Sequence, residues 1–311
     1  MRIGVLVTGA SGQVGTAVCS LLAADPNVRV SAPDRYCLPL DRPNEIAARL
    51  SEVDPHMVLH LGAFTEVDRA ELQPDLAFRV NRDATAEIAV WCGSRGRPLL
   101  YVSTDFVFDG TPPPGRARSA WLRSGYDTGD RPSPLNVYGA SKLAGEGAVR
   151  ASAPLHWIVR TSWVFGAGGS NFPTAILRQA AAGRSLRVVS DQIGRPTYAP
   201  DLACALLRLA GVSRGAAAAP PGTYHVAGTG IASWYDLALE TLTRAGWRTD
   251  VRAVGSEEYP TPAARPRRSA LSTASAATVG VRLPPWRSGV NRFLVTLVEL
   301  MPELLPAFEG R

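Results

Sequence analysis

A tyrosine and a lysine stand one helical turn apart, Tyr138 and Lys142, in the run Pro-Leu-Asn-Val-Tyr-Gly-Ala-Ser-Lys over 134–142. On a helix this spacing puts a phenol and an ammonium on the same face. A cation beside a phenol favours the phenolate. The expectation is therefore a tyrosine whose pKa is drawn down toward neutral pH, a proton donor suited to a carbonyl being reduced. The spacing by itself also fits a solvated helix face. Its weight comes from its place in the chain, after Ser103-Thr104-Asp105 at the end of an apolar run and after a glycine-rich turn near the start.

That turn, Thr-Gly-Ala-Ser-Gly-Gln-Val-Gly over 8–15, carries Gly9, Gly12 and Gly15 between an apolar run and a helical pattern. Glycine there permits a tight turn and lets the backbone approach a pyrophosphate resting on the helix N-terminus, which points to a dinucleotide. Asp34-Arg35 follow the next apolar run. An acid at this place would bond the ribose 2′-hydroxyl of NAD, and an arginine would accommodate the 2′-phosphate of NADP. Both are present, so the pair leaves NADPH and NADH open, with NADPH favoured. Asp41-Arg42 suit an adenine contact or an ordinary loop pair, and Ala63-Phe64-Thr65 follow the third apolar run, where a dinucleotide would pass along the strand ends.

Strands expected at 3–8, 28–32, 57–61, 99–103 and 156–161 alternate with helices at 13–24, 44–51, 76–95 and 137–151. This alternation marks an α/β fold, a Rossmann-type doubly wound parallel sheet. Residues 1–165 read as the dinucleotide-binding domain. Residues 166–311, with helical patterns at 172–182, 202–210, 234–245 and 290–300, read as a smaller α/β C-terminal substrate lobe, with segments interleaved between the two. The stretch 111–134 reads as a surface loop and 211–222 as a connection.

The bulk numbers narrow the classes. Apolar residues make up 46% of 311, enough for a sizeable core. With no apolar run of about 18 residues, no membrane span is expected. The first residues read as a strand and not as a signal peptide. Cys19, Cys37, Cys92 and Cys204 are scattered without metal or disulfide spacing, so the expectation is a cytoplasmic protein with reduced, buried thiols and no metal. The net charge of +6 is spread along the chain. Its tight basic cluster, Arg265, Arg267 and Arg268, reads as a solvated patch or as a diphosphate clamp; nucleic acid is set aside for want of interleaved aromatics.

Taken together these runs resemble the extended short-chain dehydrogenase/reductases, and within them the dTDP-4-dehydrorhamnose reductase family. The resemblance rests on the glycine turn, 63–71, Asn81, Ser-Thr-Asp-Phe-Val-Phe-Asp-Gly over 103–110, 134–146, Arg-Thr-Ser-Trp-Val-Phe over 160–165, Asn171-Phe172, Asp-Gln-Ile-Gly-Arg-Pro-Thr over 191–197, 233–236, and 259–262 with Arg265-Pro266. It implies NAD(P)H-dependent reduction of the C4 ketone of a dTDP-4-keto-6-deoxyhexose. Tyr138 would give the proton, Lys142 would be its electrostatic partner on the cofactor, and Thr104 would orient the carbonyl. Gly12, Gln13 and Val14 match the cofactor turn. Thr104, Asp105 and Trp163 match sugar contacts, although Trp163 also reads as a core aromatic. Asn171 reads equally as a substrate contact or a helix cap, and Arg265 falls in the clamp. A homodimer is left open.

The chain departs from the family pattern at His60 and Gly62, where Asn and Ala are usual, at Arg268 and Ala270, where Asn and Arg are usual, and at 116–131, which lacks the Glu-x-Asp pattern before the catalytic helix. Two other readings compete: a nucleotide-sugar epimerase or dehydratase, and a non-catalytic NADP-binding regulatory subunit. Dehydratase chemistry needs an extra acid pair beside the threonine, whereas Thr104-Asp105 is followed by Phe106. Intact Thr104, Tyr138 and Lys142 argue against the regulatory reading.

Overall fold

The computed structural model describes residues 2–212 and 217–306. The connection expected over 211–222 lies partly outside them. β1 (Ile3–Thr8) is apolar on both faces, and from Gly4 onward every residue is buried, the pattern of a strand covered on two sides. It is followed by α1 (Gln13–Ala23), β2 (Val28–Ser31), α2 (Pro43–Val53) and β3 (Met57–His60). α3 (Val67–Leu72), α4 (Pro74–Phe78) and α5 (Ala84–Ser94) lead to β4 (Leu99–Thr104), α6 (Arg118–Ser124), α7 (Val137–Ser152) and β5 (His156–Thr161). Beyond these come β6 (Val164–Phe165), α8 (Phe172–Ala181), β7 (Leu186–Val189), β8 (Ile193–Gly194), β9 (Thr197–Tyr198), α9 (Ala199–Leu209) and β10 (Gly222–His225). The chain ends through β11 (Ala232–Ser233), α10 (Trp234–Arg244), β12 (Val251–Val254), α11 (Ala274–Thr278) and α12 (Trp286–Leu300).

Six parallel strands form the central sheet in the order β10-β5-β4-β3-β1-β2. Its sixth strand, β10, and the helix α9 on its face come from beyond residue 165: they are segments of the second half laid onto the sheet. Val18 and Leu22 of α1 pack with Leu202 and Leu206 of α9 on one face. Ile46, Leu50, Ile88 and Val149 fill the other. A separate core, with Leu177, Leu237, Val290 and Phe293, holds the lobe together. Three two-stranded pairs, β11-β8, β12-β7 and β6-β9, complete it. Among the described residues no helix is long and apolar enough to cross a membrane.

Strand order reverses between β1 and β3, which opens a crevice beyond their carboxyl ends, the place where open α/β sheets bind ligands. The glycine turn after β1, residues 63–65 after β3, and Thr104 at the end of β4 all face it. Gly9 has φ +67°, and a Cβ there would lie 2.6 Å from the Gly62 Cα. The two turns thus pack backbone against backbone, which accounts for the glycine at 9; a Cβ on Gly62 would first meet the Leu40 side chain, at 2.8 Å.

Two expected elements differ. The long helix over 76–95 is α4 and α5 joined by a π turn, Arg79–Asp83. The wider turn brings Asn81 inside, 1% exposed, where its side chain bonds Phe64 N (2.8 Å), Phe64 O (3.0 Å) and Ser141 Oγ (2.9 Å). Apolar periodicity does not reveal a single widened turn. The loop over 111–134 contains α6, anchored by buried Trp121, whose ring meets that of Tyr126 edge-on at 5.8 Å. Seven residues rich in Arg and Ser carry no periodic signal, and one tryptophan supplies the anchorage. Of the four thiols expected to be buried, Cys92 is; Cys37 and Cys204 are exposed, because they lie on outer faces of a turn and a helix.

Beneath α7 lies a buried ion pair. Glu146, fully buried on α7, accepts from Arg160 Nε (2.8 Å) and Nη2 (2.7 Å) on β5, from Ser103 Oγ (2.7 Å) on β4 and from Arg150 (2.7 Å). Arg160 also donates to His225 Nε2 at 3.4 Å, and His225 Nδ1 reaches Tyr126 O at 3.0 Å. Removing one partner of such a pair strands the other charge, so Arg160→Met is expected to lower stability by about 3–5 kcal/mol, read from urea unfolding. An unchanged midpoint would mean that the pair does not hold α7 on the sheet.

Candidate active site

The start of α7 is fixed from three sides. Asn136 caps it, accepting from Gly139 N at 2.8 Å, while its own amide donates to Ala264 O at 2.8 Å. Glu71 accepts from Val137 N at 2.8 Å. Tyr138 therefore leaves the first turn in a set direction, and Lys142 follows one turn later on the buried face. At the end of β4, Thr104 Oγ1 accepts from Phe106 N (3.2 Å) and donates to Asp105 Oδ1 (3.2 Å), and the threonine lies close enough to the Tyr138 phenol to favour its ionised form. The threonine and tyrosine hydroxyls are thus neighbours at one point.

The electrostatics run opposite to the expectation. Burial pushes the Tyr138 phenol up to about 12; the nearby Thr104 hydroxyl works against this and the Asp105 charge adds to it. Burial also pushes Lys142 down to about 7, against the pull of Glu146. The lysine Nζ sits 4.1 Å from the centre of the Tyr101 ring. Removal from water sets the direction of both shifts, and Lys142 does not draw the phenol down, so the tyrosine is held protonated and not acidified. Lys142 is also the only lysine among 33 basic residues, a signal readable from composition that the spacing argument passed over.

Asp105 is 2% exposed, and burial raises it to about 7 in spite of bonds from Ser269 and Thr104. Its Oδ2 accepts a short bond from Ser269 Oγ. His60, also buried, joins Thr8 Oγ1 (2.7 Å) to Thr85 Oγ1 (3.0 Å). Burial first and the Lys142 charge second push it down to about 3, so it is a neutral tie between β1, β3 and α5.

At the other end of the crevice α1 begins at Gly12 with no side-chain cap and no acid in its first turn. The N–H groups of Gln13, Val14 and Gly15 have no carbonyl one turn earlier to bond. Such an N-terminus fits a pyrophosphate. Gln13 also reaches the lobe, donating to Ser170 O at 3.4 Å. Past β2, Asp34 Oδ1 accepts from Tyr36 N (2.9 Å) and Cys37 N (2.8 Å), and these bonds hold its carboxyl below the usual range. The carboxylate thus shapes its own turn, while exposed Arg35 lies 5.2 Å from the centre of the Tyr36 ring and close enough to Asp41 to feel its charge. A cleft of about 270 Å³ lined by Pro33, Tyr36, Leu38 and Arg49 adjoins this turn. Arg42 pairs with Glu45 at 2.8 Å within α2. Phe64 is pinned by Asn81, with Ala63 and Thr65 beside it on the crevice wall.

On the substrate side Trp163 has φ +48°, an uncommon conformation for a bulky residue and one that its surroundings must enforce. Its ring stacks on Trp234 at 3.6 Å, and a Cβ on Gly194 would fall 2.4 Å from it. Two expected contacts are otherwise employed. Asn171 is the N-cap of α8: Oδ1 accepts from Thr174 N (3.0 Å) and Nδ2 donates to Gly166 O (2.7 Å), so both ends of the amide are used. Arg265 forms a two-point ion pair with Asp68 (3.0 and 2.7 Å), which neutralises it and clasps the C-terminal segment to α3. The sequence reading did not single out Glu146, Arg160 or the inward turn of Asn81.

The family model described as RmlD substrate binding domain matches residues 1–299. A dTDP-4-dehydrorhamnose reductase of Sinorhizobium fredii is 36% identical over 298 residues, covering 94% of this chain and 97% of the relative. One from Streptomyces griseus is 38% identical over 289 residues, covering 92% and 91%. The crystal structure of a Bacillus anthracis dTDP-4-dehydrorhamnose reductase in complex with NADP superposes with a TM-score of 0.85 at 34% identity, over 95% of this chain and 100% of that one. The chain belongs to this family.

The raised Asp105 carries a linkage. Its folded pKa of about 7 exceeds the ordinary 3.8, so its contribution to stability is present in full below pH 3.8 and lost as pH rises through 7. The stability difference between Asp105→Asn and the parent should therefore shift in favour of the variant between pH 4 and about 7 and level off above. Urea titrations across that range with parallel curves would contradict the buried, uncharged carboxyl.

Proposed function

We propose that the chain, as a member of that family, reduces the C4 ketone of a dTDP-4-keto-6-deoxyhexose with NADPH, and that it does so in the cytoplasm. The observation that carries this reading is the meeting of Thr104, Tyr138 and the sole lysine at the carboxyl ends of the sheet, in the same crevice as the uncapped start of α1. When bound there, the reduced nicotinamide supplies the hydride.

The residues of the chain handle the proton and the charge. With its pKa near 12, Tyr138 is fully protonated at neutral pH and stands ready as an acid. As negative charge grows on the C4 oxygen, the phenol donates to it and the Thr104 hydroxyl gives a second hydrogen bond. That hydroxyl has one proton, which turns from Asp105 Oδ1 to the C4 oxygen while Phe106 N still donates to the hydroxyl oxygen. Lys142, poised near pH 7, supplies the positive charge that the departing proton leaves in demand and can itself restore a proton. Arginine, always charged and planar, does only the first of these tasks. Arg35, its neighbour Asp34 being engaged with backbone, takes the 2′-phosphate, which favours NADPH over NADH. A non-catalytic NADP-binding role would leave the hydroxyl pair and the lone amine without a task.

The direct test is to incubate the protein with dTDP-4-keto-6-deoxy sugars, before and after 3,5-epimerisation, and to follow loss of reduced-nicotinamide absorbance. No oxidation with any of them would overturn the reading. Tyr138→Phe should lower kcat by about 10²–10⁴-fold with NADPH affinity unchanged, since a positioned proton donor is worth that much. Arg35→Ala should raise the KM for NADPH by about tenfold or more, as expected for a lost charged hydrogen bond, and leave that for NADH in place.

A further inference from the structure

Tyr101 of β4 meets Lys142 at both ends. Its hydroxyl lies 3.3 Å from the Lys142 backbone oxygen and 3.4 Å from that of Asn81, so its one proton serves either carbonyl. Its ring centre lies 4.1 Å from the ammonium nitrogen of the same lysine. One wholly buried side chain thus touches both the main chain and the amine of residue 142. The close approach needs the glycine at 145: a Cβ there would fall 2.5 Å from the Tyr101 hydroxyl oxygen and closer still to Asn81 O. His60 stacks against the ring, with centroids 5.5 Å apart, and its bonds to Thr8 and Thr85 fix it there.

Among the described residues no carboxylate pairs with Lys142. Glu146, one turn on, pulls it toward the charged form but is itself taken up by Arg160 of β5, Arg150 and Ser103. From β3 the amine is faced by His60, which is neutral. From β4 it is faced by Tyr101, whose phenol burial holds well above its usual range, so the ring brings no negative charge. The π turn contributes the uncharged amide of Asn81, while its Arg79 and Arg82 are exposed. At the start of α7 Tyr138 is protonated, Asp105 is engaged with Thr104 and Ser269, and Glu71 of α3 accepts from Val137 N.

An aromatic face attracts a cation, most strongly where water is excluded. With its pKa at about 7, Lys142 stands between its two forms at neutral pH, and a modest attraction decides which prevails. We propose that Tyr101 is a positioning residue for Lys142: its ring face holds the amine in place and favours the ammonium form. A carboxylate partner would cancel the positive charge that the reaction draws on, whereas a ring attracts the amine and leaves that charge in force. The consequence for catalysis rests on the function proposed above; the contact of ring and amine does not.

The test compares Lys142→Met with its parent by urea unfolding from about pH 5 to about pH 11, once for each residue placed at 101. A buried lysine lowers stability while it is charged. That cost is present in full below its folded pKa, fades as pH rises from there toward the ordinary 10.5, and is gone above. The bend in the difference curve, at about pH 7 in the parent, therefore reports Lys142. Tyr101→Phe keeps the ring and should leave the bend in place. Tyr101→Leu should lower it by about one pH unit. Phenylalanine carrying successive ring fluorines at 101 keeps the shape and thins the π electrons, so it should lower the bend step by step; this series decides the matter even where the leucine variant does not fold. In the reduction of a dTDP-keto sugar the alkaline limb of kcat should move down with the bend, since the amine acts while charged. A bend unmoved in folded Tyr101→Leu, or indifferent to fluorine, overturns the proposal. A bend that moves in a protein reducing none of the sugars supports the role of the ring and removes the functional reading instead.

Discussion

The placing of Tyr138 and Lys142 against Thr104 depends on one buried carboxylate. Glu146 pulls α7 onto β4 and β5 through Ser103 and Arg160, and the same helix presents Lys142 one turn earlier and Tyr138 in its first turn. Burial alone would push this carboxyl up, but Arg160, Ser103 and Arg150 hold it below the usual range, so it stays charged. An ionised pair in a dry interior tolerates little displacement, because each hydrogen bond lost leaves a desolvated charge behind. The depth and rotation of the helix are thereby set, and with them the meeting of the Tyr138 and Thr104 hydroxyls. From Arg160 the network runs through neutral His225 to the backbone of Tyr126, just past α6. α7 and the segment just past α6 thus share one polar foundation.

Burial also sets the protonation of the centre. Asp105, Tyr138 and Lys142 are all moved toward their uncharged forms. The phenol is kept loaded, the amine is brought near neutrality, and the carboxyl is poised to accept the threonine hydroxyl. Three weakly charged groups side by side repel a ligand less than three charged ones would, and each changes state at small cost when charge develops nearby. The site is thus organised for a reaction in which charge appears briefly on one oxygen.

Much of this was legible in the residues. The five expected strands of the first half occur within a residue or so of their expected bounds, because long apolar runs between turn residues have few alternatives. The glycine turn, Thr104, Tyr138 and Lys142 were placed by spacing and motif. What escaped depends on contacts distant in sequence. The direction of the tyrosine shift needed the depth of its burial. Asn171, read equally as a cap or a contact, has its cap partners in Thr174 and Gly166, and Arg265 is paired with Asp68, far away in sequence. β10, short and preceded by alanines and prolines, carried no sign that it would join a sheet begun far upstream. Asn81 came inward through a single widened turn, which leaves no trace in an apolar pattern.

The solitary amine beneath Tyr101 makes this chain its own reporter. Feeding cells lysine enriched in a magnetic isotope would yield one side-chain resonance in the whole molecule, arising from the reaction centre itself. Its chemical shift would follow the ionisation of Lys142 without assignment, mutation or an attached probe. Amine-directed reagents face the same economy: apart from the chain's first nitrogen they have a single target, and it lies 2% exposed behind the crevice. The speed with which such a reagent finds it would measure how often the crevice opens.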